Sequence, residues 1–322
     1  MKPIWLALVA AVCMHSPFLA GELPRDAVSI DYSRNKGLVA AAYRGGEVVL
    51  WDFESGKINK VFNASAAKPT WNRPLTQFNA AGRRLVYTQE GDAGLVTYDV
   101  ETGKSTVLVP RRLLVEGIAA ANWSRQSDTI LVAIGRDIFL LDGGGHTRWQ
   151  RRLETRALIT DVEWHPSERF YTVATDDGAV STWETASGRV IASAKLDTGT
   201  HAVPVKIVWT SEESLVAEVR GASLALLDPE TLKPNRVTAC HCLDFTWNGK
   251  EILSWAPPNI AAFSEAAQHV RDWRTPFDGE GTVAWAEDGR ILTASAESTV
   301  TLRDTRSGKV LRVFNLPKDG GL

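Results

Sequence analysis

Residues 160–189 read TDVEWHPSERFYTVATDDGAVSTWETASGR, and the way this stretch is segmented decides the fold. Short apolar and β-branched runs (DVEW, FYTVAT, AVSTW) alternate with HPSER, DDG and ASG. Pro, Asp-Gly and Ser-Gly are turn formers, because Gly supplies a positive φ and Asp bonds its own backbone. Runs of this length between turn signals read as strands, and no helical period runs through them. The stretch therefore predicts strand, turn, strand, turn, strand and a glycine turn, with a fourth strand beyond Arg189.

The same pattern recurs along the chain. Copies begin at Val28, Leu75, Ala119, Thr160, Val205, Leu243 and Thr282. An aromatic closes the first strand of each: Tyr32, Phe78, Trp123, Trp164, Trp209, Trp247 and Trp285, spaced 46, 45, 41, 45, 38 and 38 residues apart. A second anchor closes the third strand, usually followed by an acid: Trp51-Asp52, Tyr98-Asp99, Leu141-Asp142, Trp183-Glu184, Leu227-Asp228 and Arg303-Asp304, with Phe263-Ser264 as the departure. Four copies then carry a Gly-base turn, at Gly56, Gly103, Gly188 and Gly308. Four short strands per roughly 40–45 residues is the signature of a propeller blade. The expectation is an all-β fold, a seven-bladed β-propeller of four-stranded antiparallel blades. A lone four-stranded sheet leaves both faces wet, so stacked blades must bury them against each other, with the first-strand aromatics between neighbours.

The segments WHPSERFYTVATDDGAVSTWE and WAEDGRILTASAESTVTLRD resemble WD40 repeats, and the likeness extends over nearly all of the chain after its first 21 residues. It implies a protein-interaction scaffold. Asp177 and Trp183 match the last two roles of that family's His–Ser/Thr–Asp–Trp network, but no copy carries the whole set. The last strand, VLRVF, is an outermost one, and no preceding strand is evident for it to borrow. Ring closure is expected by side-to-side packing of the first and last blades.

Composition bounds the rest. The 322 residues are 44% hydrophobic and 23% charged, with a formal net charge of −2, which describes a folded chain and argues against nucleic acid as a general partner. At the N-terminus, MKPIWLALVAAVCMHSPFLAG has one lysine, a short apolar run, a proline and small residues, the layout of a signal peptide rather than a membrane span. The expected organisation is a signal peptide over 1–21, the propeller over 22–316 and a tail over 317–322. Such a chain would be periplasmic or secreted, with no integral membrane segment after signal removal, where disulfides persist.

Two candidate sites follow. In a propeller the joints between blades share a face with the loops between second and third strands. The joints after the first three blades carry Lys68, Arg73, Arg111, Arg112 and Arg156 against Glu116 and Glu154, with Trp71 in the longest of them. This basic arc with its aromatic suits an acidic protein loop or an anionic glycan, a protein partner being the expectation. The second candidate is Cys240-His241-Cys242 in the joint before the sixth blade, with His201 in the joint before it. Incidental thiols, a local disulfide and a metal site using Cys240, His241, Cys242 and His201 all stay open: extended backbone places the two cysteine Cα atoms nearly 7 Å apart, at the edge of disulfide reach. No nucleophile elbow, zincin or phosphate-loop motif is present, and no cofactor is implied. The readings are thus a non-enzymatic scaffold, a metal- or redox-linked protein using the cysteines, and a hydrolase or lactonase with acids lining the channel.

Overall fold

The computed structural model describes residues 26–62, 74–89, 94–113, 117–196, 205–219, 223–240, 242–256, 258–274, 281–287, 289–295 and 299–316. The first blade is β1 (Ala27–Ser33), β2 (Leu38–Tyr43), β3 (Val48–Asp52) and β4 (Ile58–Phe62). The second is β5 (Thr76–Phe78), β6 (Arg84–Gln89), β7 (Gly94–Asp99) and β8 (Ser105–Val109). The third is β9 (Ile118–Trp123), β10 (Thr129–Ile134), β11 (Asp137–Asp142) and β12 (Thr147–Arg152). The fourth is β13 (Ile159–Trp164), β14 (Phe170–Thr175), β15 (Ala179–Glu184) and β16 (Val190–Lys195). The fifth is β17 (Val205–Ser211), β18 (Ser214–Val219), β19 (Ser223–Leu227) and β20 (Pro234–Ala239). The sixth is β21 (Asp244–Trp247), β22 (Glu251–Ala256), β23 (Asn259–Ser264) and β24 (His269–Arg274). The seventh is β25 (Gly281–Trp285), β26 (Arg290–Ser295), β27 (Val300–Asp304) and β28 (Val310–Phe314). Each set is a separate antiparallel sheet in chain order, and no strand crosses between sheets.

The burial of each strand follows from its place in the blade. Second strands are covered on both faces, so β2 (LVAAAY) and β10 (TILVAI) are buried throughout. Outermost strands meet solvent, so β20 (PNRVTA) is almost wholly exposed. The core is divided accordingly. Seven apolar clusters occur among the described residues, each shared by two adjacent blades. Every first-strand aromatic lies in the cluster shared with the preceding blade: Phe78 with Leu50 and Phe62, for example, and Trp164 with Leu131 and Ile138.

The ring closes without strand exchange. Ala284, Leu292, Leu302 and Phe314 of the seventh blade share one cluster with Val39, Trp51 and Phe53 of the first. Polar ties line the same seam: Trp51 Nε1 donates to the Asn315 carbonyl at 3.1 Å, Tyr32 Oη donates to Glu287 Oε2 at 2.9 Å, and Arg312 donates to the Phe53 carbonyl.

The acids after the third strands cap the turns that follow. Asp52 Oδ1 accepts the Ser55 amide at 2.7 Å, Asp228 Oδ1 the Thr231 amide at 2.8 Å, and Asp304 Oδ1 the Ser307 amide at 2.7 Å. The hydroxyl and amide of Ser55, Thr231 and Ser307 hold these three carboxyls below the usual range. The same turns require one left-handed residue. Gly56, Gly103, Gly145, Gly188 and Gly308 supply it in five blades, whereas Leu232 (φ 57) and Ala267 (φ 53) supply it in the fifth and sixth. Their buried side chains join the seam clusters, which offsets the backbone cost.

Candidate functional site: joint face and central channel

The joints and the loops between second and third strands do lie together. At the joint before β13, the Leu153 amide donates to the Arg136 carbonyl at 2.9 Å and the Ile159 amide to the Gly135 carbonyl at 2.7 Å. On this face Arg112 is exposed, one residue into a short 3-10 helix that starts at Arg111 and ends at Leu113, and Arg156 is exposed in the joint before the fourth blade. Lys68, Trp71 and Arg73 lie outside the described residues. Two further cations, Arg136 and Arg152, line a surface depression together with Arg156 and Glu154. Arg152 pairs with Asp137 at 2.9 Å, and Arg136 Nη1 donates to the Thr155 carbonyl at 3.0 Å. The sequence reading missed both because Arg136 lies in the turn between β10 and β11 and Arg152 ends β12, outside the joint itself.

Cys240 and Cys242 form a disulfide with their Cα atoms 5.3 Å apart, so the backbone bends more than an extended strand would. In this state neither sulfur is a thiolate ligand. Cys242 is fully buried and Cys240 packs beside it, both against Phe245, Ile252 and Phe263. His241 and His201 lie outside the described residues. Among the described residues no group of three or more His, Cys, Asp or Glu side chains is arranged to hold a metal ion.

In the fourth blade, Asp177 and Trp183 do not meet. Asp177 Oδ1 accepts Thr175 Oγ1 at 2.7 Å, capping its own turn, and Trp183 Nε1 donates to Ser181 Oγ at 2.8 Å. The tryptophans not claimed as anchors are structural where described. Trp255 and Trp273 are buried, and Trp149 holds the Arg151 guanidinium 4.0 Å from its ring centre. Asn122, which opens a glycosylation sequon, spends its side-chain amide on the Val162 carbonyl inside the ring.

The feature least visible in the sequence is the channel along the propeller axis. It encloses about 390 Å³ and is lined by the seven innermost strands. Its polar side chains form a girdle in which each blade bonds the next. Asp31 accepts the Phe78 amide at 2.6 Å, Gln77 accepts the Trp123 amide at 3.1 Å, and Asn122 reaches Val162. Asp161 then accepts the Ile207 amide at 2.9 Å, Lys206 donates to the Phe245 carbonyl at 2.9 Å, and Asp244 accepts Thr282 Oγ1 at 2.6 Å. Lys206 also pairs with Asp244. The first three ties start one residue before the strand-closing aromatic, and the last three start three residues before it. Both positions face the axis, since alternate residues of a strand share a face. Burial pushes the Asp31 and Asp161 carboxyls up to about 6, despite the amides they accept. Glu163 is pushed further, to about 8, by burial and then by the charge of Asp161, with Arg125 and Lys206 pulling the other way.

Seven four-stranded blades around a polar channel, with aromatic-closed first strands and acid-capped third turns, define a seven-bladed β-propeller. The comparisons agree. The family model of the anaphase-promoting complex subunit 4 WD40 domain matches residues 121–212. No curated protein matches significantly. Among solved structures, the β-propeller domain of Cps50 (Swd1) from Myceliophteria thermophila superposes with a TM-score of 0.67 at 14% identity, covering 86% of this chain and 96% of that one. The computationally designed protein Ika8 superposes at 0.63 with 15% identity, covering 90% and 87%. These likenesses establish the fold. WD40 propellers generally bind proteins. No helix among the described residues is long and apolar enough to cross a membrane.

Proposed function

We propose that this chain is an exported, non-enzymatic interaction platform whose joint face captures a negatively charged protein. The observation that carries the reading is the concentration of arginines on that face. Arg112 and Arg156 are exposed there, and Arg136 and Arg152 extend the patch around one depression. An arginine patch of this kind speeds encounter with an acidic surface and supplies forked donors for carboxylates. Lys68, Trp71, Arg73 and Arg111 belong to the same proposed surface. The Cys240–Cys242 disulfide supports export, since such bonds persist in oxidising compartments, and the signal-like N-terminus points the same way. Crosslinking capture from the exported fraction of the native cell, with and without reversal of the arginine charges, tests the reading. A partner retained at full yield by the reversed protein would reject it.

The hydrolase reading finds less support. General acid–base work needs carboxyls free to exchange protons with a substrate. Asp31, Asp161 and Asp244 are each spent on a bond to the neighbouring blade, which leaves Glu163 as the single lining carboxyl among the described residues without such a bond, where paired acid–base work needs two.

A further inference from the structure

Two charged groups in the channel are left out of the girdle. Glu163 sits one residue before Trp164, the position from which Asp31, Gln77 and Asn122 tie the earlier blades together. Among the described residues its carboxyl takes no hydrogen bond and no ion pair. Arg125, in the turn that follows β9, lines the same cavity, and its guanidinium likewise has no partner among the described residues. The two attract each other through space without forming an ion pair. Among the other axis-facing positions of the lining are the apolar residues Leu75, Ala120, Val208 and Ala284. The volume, about 390 Å³, falls among pockets that hold small ligands.

We propose that the central cavity binds a small zwitterion of the amino-acid class, its ammonium end against Glu163 and its carboxylate end toward Arg125. Each end meets the one channel group of opposite sign that the girdle does not consume, and the aliphatic middle meets the apolar lining residues. The partly desolvated setting strengthens both attractions relative to water. A ligand with one charge satisfies only one end, so selectivity is for molecules carrying both. The groups that set the charge state of Glu163 are Asp161 on its own strand, Arg125 on the third blade and Lys206 on the fifth, with Asp31 and Asp244 elsewhere in the lining. Because the carboxyl must be ionised to hold an ammonium, affinity rises as pH climbs through about 8. This site is independent of the joint-face reading.

The test is calorimetric titration of the full chain with unbranched ω-amino acids from glycine to 6-aminohexanoate. Alkylamines and alkyl carboxylates of matched length serve as controls, at pH 7 and pH 9. At least one amino acid should bind about tenfold or more tightly than both matched controls, and more tightly at pH 9. Glu163→Gln should erase its advantage over the carboxylate. Arg125→Gln should erase its advantage over the amine, and this second variant decides the matter should the first fail to fold. Absence of binding across the series up to about 10 mM overturns the proposal. So does a control that binds as tightly as its amino acid, or selectivity that survives in a folded variant.

Discussion

Glu168 of the fourth blade is bonded into a turn of the third: its carboxylate accepts the Ser124 hydroxyl at 2.7 Å from both oxygens. Oε1 also accepts the Arg125 amide at 2.7 Å and the Gln126 amide at 2.9 Å. Glu168 takes φ 56 in the turn between β13 and β14, where Gly37, Gly82, Gly249 and Gly289 serve other blades, a left-handed conformation that side chains other than glycine rarely adopt. The strain is held because the carboxylate meets three donors that would otherwise lack a charged acceptor.

Replacing Glu168 with alanine should therefore destabilise the protein by about 1.5–3 kcal/mol, the usual worth of hydrogen bonds to a charged group. Urea unfolding checks this. Glu168→Gln should retain part of the loss, and an unchanged midpoint for Glu168→Ala would show that the turn does not depend on the carboxylate.

The seam between the last and first blades gives a second expectation. Trp51→Phe keeps most of the buried ring but removes the donor to the Asn315 carbonyl, so it should cost about 1 kcal/mol. Leu292→Ala, in the same cluster, should cost about 2–5 kcal/mol through the cavity it leaves. Hydrogen exchange should quicken first in β1 and β28. Exchange that quickens evenly around the ring would contradict closure by side-to-side packing.

Glu163 makes stability fall as pH rises. Its folded pKa, about 8, lies above the ordinary carboxyl value, so the folded state binds the extra proton between about pH 4.5 and pH 8. The stabilising protonation is present in full below the unfolded value and is lost as pH climbs through 8. Glu163→Gln removes the titration, and its melting temperature should gain on wild type more at pH 8.5 than at pH 5. Asp52, Asp228 and Asp304 act in the opposite sense: their lowered pKa values stabilise the fold at neutral pH, and that contribution is lost in acid.

Much of the fold was legible because the repeat carries its own punctuation. Trp123, Trp164 and Trp209 mark the seams, and Asp52, Asp228 and Asp304 mark the turns, since each role recurs with one chemical solution. The girdle was not legible, because its roles recur with different solutions: Asp31, Gln77 and Lys206 all tie blades, as acceptor, amide and donor. Leu232 and Ala267 hide for the same reason, standing where a glycine is expected. The Cys240–Cys242 bridge depended on a local bend that strand periodicity does not encode. For the joint face, the sequence marked Arg112 and Arg156 but not Arg136 and Arg152, whose convergence requires the turn geometry.

The disulfide closes a loop of only three residues, so its removal should cost little, on the order of 1.6 kcal/mol in the chain-entropy account. Cys240→Ser with Cys242→Ser should fold and melt a few degrees lower. Thiol counting on the native protein should find these two sulfurs unreactive until a dithiol reductant is added. Two reactive thiols before reduction would contradict the bridge.

The most direct measurement of the central proposal is crosslinking capture by the native protein compared with a variant carrying Arg112→Glu and Arg156→Glu, both exposed. Exposed substitutions of this kind shift stability by about 0.5 kcal/mol or less each, so the variant should melt close to wild type while losing its acidic partner. Capture undiminished in the folded variant would contradict an arginine-based joint-face platform.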